Sequence, residues 1–135
     1  MKAAQITGYR KIEITDVPDL GELKDGEVRF KVDCISVCGS DIHSSFDKVL
    51  PEESYPLPPG MPIHEVAGVA VESKDDRYPV GSRAIIIPNY RKPDGSIGTG
   101  GAVEYIDQNH ERIIKLPEWG DLEDCIMIKN YGTVL

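Results

Sequence analysis

Cysteine is scarce in this chain of 135 residues: only Cys34, Cys38 and Cys125 occur. So small and odd a set suits reduced thiols and excludes a dense disulfide framework, although a metal ligand among them stays open. Long hydrophobic runs are also missing. Hydrophobic residues make up 40% of the chain and charged ones 28%, interleaved throughout, so no stretch reaches the ~20 apolar residues of a bilayer span. The opening "MKAAQITGYRKIEI" has no apolar core or small-residue cleavage site of a secretory leader and carries Lys2, Arg10 and Lys11 instead, so a cytoplasmic location is expected. Positive charge is in the minority, with 15 Lys and Arg against 23 Asp and Glu and a net charge of −8. That balance argues against nucleic acid or an anionic membrane as partner, because both are held through a basic field. A small molecule is the expected partner. A dinucleotide-binding turn is lacking too: "DGSIGTGG" does not follow the G-x-G-x-x-G order and leads into "AVEYI", so it reads as a loop.

What is present has a period of two. In "EVRFKVDC" the apolar residues Val28, Phe30, Val32 and Cys34 alternate with Glu27, Arg29, Lys31 and Asp33, as in a half-buried strand. "KIEITDV" alternates likewise, and the Lys24-Asp25-Gly26 turn signal predicts that these two strands pair in an antiparallel meander. "VAGVAVES", "RAIIIP", "AVEYID" and "RIIKLP" follow as short β-branched segments separated by Gly, Pro and Asp. The fold class is therefore mainly β, one domain by length, with Gly68 marking a bulge or a close backbone approach. Two helices are predicted, a short one from Ser40 and a longer one from Asp121 to the chain end. The last stretch, "LEDCIMIKNYGTVL", is too apolar for a solvated tail. It either folds back on the barrel or is covered by a second domain, in the same chain or on another.

Two short stretches concentrate reactive side chains at strand ends. "CGSDIH" supplies Cys38, Ser40, Asp41 and His43; "PIHEVAG" supplies His64 and Glu65. A thiolate and an imidazole brought together across a barrel mouth are zinc ligands, and loops at strand ends can leave a coordination position open.

In these motifs, and in the colinear "GEVRFKVDCISVCGSDIH", "YPLPPGMPIHEVAGVAVE", "YPVGSRAIIIP", "GGAVEYI" and "IIKLPE", the chain resembles the zinc-containing medium-chain alcohol and polyol dehydrogenases. The likeness is to their N-terminal catalytic domain, a GroES-like β-barrel, and covers essentially residues 1–135. The resemblance implies catalytic zinc held by Cys38 and His64, with Glu65 approaching the ion directly or through water. It implies that Ser40 takes the proton from the alcohol, that His43 passes it to solvent, and that Asp41 orients the His64 ring. It further implies an alcohol or polyol substrate, NAD or NADP brought by a separate Rossmann nucleotide-binding domain, and a homo-oligomer as one state of the chain. An isolated chain without that domain is expected to be inactive.

The sequence departs from the family pattern at three places. No cysteines follow "RAIIIP", so structural zinc is not expected. Ile63 stands where the family usually has Gly, which predicts crowding beside His64. Lys129 falls where the helix after the barrel supplies a further zinc ligand, and Cys125 lies one helical turn earlier. An ammonium has no lone pair to give a metal. The departures leave a second reading, a non-enzymatic binding or assembly module of the same fold with a relic metal site.

Overall fold

The computed structural model of the chain describes residues 1–90 and 98–134. A hairpin is formed by β1 (Lys2–Gly8) and β2 (Lys11–Asp16). A second, curled sheet holds β3 (Glu27–Ser36), β4 (Glu65–Ser73), β5 (Arg83–Ile86), β6 (Tyr105–Asn109) and β7 (Ile113–Lys115) in the order β6-β3-β4-β5-β7. Every neighbouring pair is antiparallel. Residues 102–104 join the two sheets: Ala4 N–H donates to Ala102 O at 2.8 Å, Glu104 N–H to Lys2 O at 3.1 Å, and Val32 N–H to Glu104 O at 2.9 Å. The mainly β architecture read from the period-two pattern is the one found.

One pairing differs from expectation. β2 pairs with β1, and β3 pairs with β4 and β6, so β2 and β3 are not neighbours in a sheet. The turn at residues 24–26 does form, with Glu27 N–H bonded to Lys24 O at 3.0 Å and Gly26 at φ +78°. It points β3 at the far end of β4 instead, where Gly26 N–H donates to Lys74 O at 3.0 Å. The link from Asp16 runs through Pro18 and is too long for the tight hairpin that would pair β2 with β3. In consequence Ile12 and Ile14 on β2 are 55% and 70% exposed.

β3 carries a bulge that changes which side of the sheet its residues face. Val32 stands opposite Gly68, but Cys34 stands opposite Ala67, so Asp33 is an extra residue in the ladder. Before it, Val28, Phe30 and Val32 pack with Ala3, Val66 and Ala70 in the main core. After it, Cys34 packs across the sheet with Ala67, Ile85 and Leu116 in a second cluster. The simple alternation of Val28 through Cys34 on one face therefore breaks at Asp33. Gly68 explains how the strands come so close there: a Cβ on it would lie 2.3 Å from Lys31 O.

After β3 the chain makes the short helix α1 (Gly39–Asp41), prolonged by a π-helical turn over Ile42–Phe46. The single C-terminal helix expected from Asp121 is instead two pieces, α2 (Leu122–Cys125) and α3 (Ile128–Val134), with a turn at residues 126–127. Leu122 and Ile126, one turn apart, bury themselves in the second cluster, while Met127 and Ile128 each stay 40% exposed. The first half of this segment thus folds back on the sheet. The side chains of Tyr131 and Val134, all of Leu135, and residues 94–97 of the Gly-rich stretch lie outside the described residues. Among the described residues no helix is long and apolar enough to cross a membrane.

Because Gly68 faces backbone atoms that cannot step aside, Gly68→Ala is expected to cost more than about 1 kcal/mol of stability. A urea midpoint equal to that of the unaltered protein would contradict this account of the bulge.

Candidate metal centre

Cys38 sits where the chain leaves β3 and enters α1, in extended backbone at φ −87° and ψ 154°. Its N–H donates to Asp41 Oδ2 at 2.9 Å, and Asp41 N–H returns to Cys38 O at 3.0 Å. Asp41 is 3% exposed, and its other oxygen, Oδ1, lies 2.7 Å from His64 Nδ1. One buried carboxylate therefore ties the turn that presents Cys38 to the strand end that presents His64. Behind it lies an apolar cleft of about 290 Å³, lined in part by Ile6, Ile42, Phe46 and Ile63.

His64 and Glu65 are placed by the segment before β4. Gly60 has φ +75°, and a Cβ on Gly100 would lie 2.1 Å from Gly60 O, so the two glycines meet backbone to backbone. Four bonds sew the pair together: Gly100 N–H to Pro59 O at 2.8 Å, Gly101 N–H to Ile63 O at 2.7 Å, Gly60 N–H to Ala4 O at 2.9 Å and Ala102 N–H to Gly60 O at 3.2 Å. Ile63 does not crowd the ligand atoms; its side chain is 8% exposed and belongs to the main core. Room for it exists because residue 101 is glycine, where a Cβ would meet Val66 Cγ2 at 2.1 Å and Ile63 Cγ2 at 3.3 Å.

The ligand atoms of Cys38, His64 and Glu65 all lie within 4.8 Å of one another. Glu65 is 0% exposed, and neither of its oxygens has a hydrogen-bond partner among the described residues. His64 Nε2 lies 4.0 Å from Glu65 Oε1. Burying an unpartnered carboxylate is costly, by several kcal/mol in real proteins. A divalent ion removes that penalty, and a sulfur, nitrogen and oxygen donor set is one that zinc accepts. Zinc–donor bonds of about 2.0–2.3 Å put neighbouring donors about 3.3–4 Å apart, so the group needs only a small contraction to close on an ion. With Nδ1 engaged by Asp41, Nε2 is the ring nitrogen left for metal. The residues present fit a zinc ion.

The remaining predicted residues stand around this group without joining it. Ser40 and His43 are exposed and three residues apart on one helical face, and neither side chain has a hydrogen-bond partner among the described residues. Lys129 Nζ donates to the backbone carbonyl of His64 at 3.4 Å, so α3 does bring its side chain to the ligand loop. Cys125 is held in the second cluster, away from the donor group. Sequence reasoning missed Tyr90. Its hydroxyl donates to Pro62 O, the same carbonyl that lies 3.3 Å from His64 Nδ1. Burial first, then the carboxylate of Asp41, pushes the Tyr90 pKa up, so the hydroxyl keeps its proton. No motif marks this tyrosine; only the fold brings the exit of β5 beside residue 62.

Comparison with known proteins places the fold. (R,R)-butanediol dehydrogenase of Bacillus subtilis (strain 168) is 29% identical over an alignment that covers 100% of this chain and 46% of that relative. An X-ray structure of 2R,3R-butanediol dehydrogenase from the same organism superposes with a TM-score of 0.70 at 24% identity, covering 94% of this chain and 43% of that one. Galactitol-1-phosphate dehydrogenase from Escherichia coli gives a TM-score of 0.71 at 22% identity, covering 95% of this chain and 41% of that one. The chain thus spans less than half the length of these relatives. The family described as the alcohol dehydrogenase GroES-like domain matches residues 24–118. By that match, and by the curled sheet it describes, the chain belongs to the alcohol dehydrogenase GroES-like domain family.

Proposed function

We propose that residues 1–135 are the catalytic-domain portion of a zinc-dependent alcohol or polyol dehydrogenase. It would oxidise an alcohol to a carbonyl once a nucleotide-binding domain supplies NAD or NADP. The observation that carries this reading is Glu65, a fully buried carboxylate with no partner among the described residues, beside Cys38 and His64. In this reading Cys38, His64 and Glu65 hold the ion, and Asp41 keeps the His64 ring turned so that Nε2 faces it. When bound, zinc acts as a Lewis acid toward an alcohol oxygen, lowering its pKa toward neutrality.

The chain's own residues then have the proton to move. Ser40 Oγ can accept a proton from the substrate hydroxyl and donate its own onward, since a hydroxyl does both. His43, exposed and one turn further on, can exchange it with solvent, since an imidazole both accepts and gives up a proton. That the Ser40 and His43 side chains bond to no other described residue supports this role, because relay groups must be open to substrate and water. The nicotinamide lies outside this chain's chemistry; a separate domain, in the same polypeptide or on another, is the partner, in a cytoplasmic setting.

Purified protein is expected to take up about one equivalent of zinc in chelator competition. Cys38→Ala and His64→Ala should abolish tight uptake, and Asp41→Asn should weaken it about 10- to 100-fold, the usual effect of removing a carboxylate that orients a metal-bound histidine. An unaltered protein that binds no metal would sink the proposal and leave the binding-module reading.

Lys129 brings a positive charge to the ligand loop. Lys129→Met is expected to tighten zinc binding, by about tenfold or about 1.4 kcal/mol, through relief of like-charge repulsion. Unchanged or weaker affinity would show that the ammonium does not oppose the ion. The chain by itself should show no turnover with NAD or NADP and any alcohol; measurable turnover would refute the need for a second domain.

A further inference from the structure

We propose that Tyr90 is a positioning residue for the metal centre, holding the Pro62 carbonyl as the hydrogen-bond acceptor of His64 Nδ1–H so that the ring is clamped with Nε2 presented to the ion. The inference rests on the reading of Cys38, His64 and Glu65 as a metal site. His64 Nδ1 has a hydrogen-bond acceptor in Pro62 O at 3.3 Å and a carboxylate oxygen, Asp41 Oδ1, in ion-pair contact at 2.7 Å. They approach from different segments, α1 and the turn before β4. A ring held by the carboxylate contact alone can still pivot, whereas a carbonyl aligned with the Nδ1–H bond limits that rotation.

The carbonyl needs holding. It belongs to the peptide between Pro62 and Ile63, whose N–H makes only a 3.2 Å bond to Gly60 O. Proline itself contributes no N–H. The Tyr90 hydroxyl supplies a direct restraint on that oxygen. Tyr90 is in turn well placed to act as an anchor. Gly98 N–H donates to Tyr90 O at 2.9 Å, and a Cβ on Gly98 would lie 1.9 Å from Asn89 O. Two backbone segments therefore meet at residues 89–90 and 98, whatever side chains lie between them. The second chain link, from Tyr90 through Pro62 to His64, joins β5 to the site, as Asp41 joins β3 to it.

The test uses the full chain, selectively ¹⁵N-labelled at histidine, first free of metal and then with zinc at fixed pH. In the unaltered protein the His64 Nδ1 proton should exchange slowly. In Tyr90→Phe it should exchange about threefold to tenfold faster, and zinc affinity should fall by a similar factor, the scale of one lost hydrogen bond to a ligand's support. Tyr78→Phe is the control, because the Tyr78 hydroxyl also bonds a backbone carbonyl, Ile113 O at 3.3 Å, but far from His64; it should change neither reading. Equal exchange in Tyr90→Phe and the unaltered protein overturns the proposal, as does equal loss in the Tyr78→Phe control. If the unaltered protein binds no zinc, the metal reading fails, yet the metal-free exchange comparison still decides the role of Tyr90. Should Tyr90→Phe not fold, the unaltered protein decides: a protected Tyr90 hydroxyl proton with cross-peaks to Pro62 and His64 is expected, and a freely exchanging one overturns the proposal.

Discussion

The barrel mouth depends on the backbone contact between Gly60 and Gly100. Two peptide groups approach there more closely than any side chain would allow, and the bonds on either side of them join β1, the turn before β4 and the segment leading to β6. That join sets the height at which His64 and Glu65 enter the sheet. Cys38 arrives from the other direction, at the end of the longest strand, and Asp41 spans the gap. The geometry of the site is thus a property of three separate chain segments meeting, and the glycines are what let them meet.

The electrostatics of the mouth are one-sided. Cys38, Glu65 and Asp41 gather within one small region of a chain that is already acidic, and Glu65 has been withdrawn from water entirely. Proteins rarely leave a buried charge without compensation. Here the compensating groups in sight are the imidazole of His64 and, on the far side of its peptide, the ammonium of Lys129. Neither reaches the Glu65 oxygens by a hydrogen bond. Glu65 is therefore left as a buried carboxylate with no hydrogen-bonded partner among the described residues.

Much of this was legible in the sequence. The period-two run at residues 27–34 located β3, and the short β-branched segments located β4, β5, β6 and β7, because each strand buries at least one face. β1 left a weaker trace, since Ala3 and Ile6 are its fully buried residues and alanine carries little hydrophobic signal. The pairing of strands could not be read from the turn at Lys24, because a turn reports a change of direction and says nothing about the strand it finds. Of the site, the reactive side chains announced themselves by type and spacing; the supports did not. Gly101 relieving Ile63, and Tyr90 bonding Pro62, are relations between residues distant in sequence, and a single sequence has no local mark for them. The break of the C-terminal segment at residues 126–127 was likewise hidden, since a helical stripe of Leu122 and Ile126 looks the same whether or not the helix continues.

The extra residue in β3 has a bearing on how such a domain can vary. Asp33 rotates the remainder of the strand by half a turn, so that Cys34 faces the second cluster, and every later residue inherits that orientation as far as the thiol at position 38. Which side of the wall the sulfur reaches is consequently a matter of counting. Substitutions at Ile35, Ser36 or Val37 leave the count intact, whereas a single deletion among them would carry an unaltered cysteine to the wrong side.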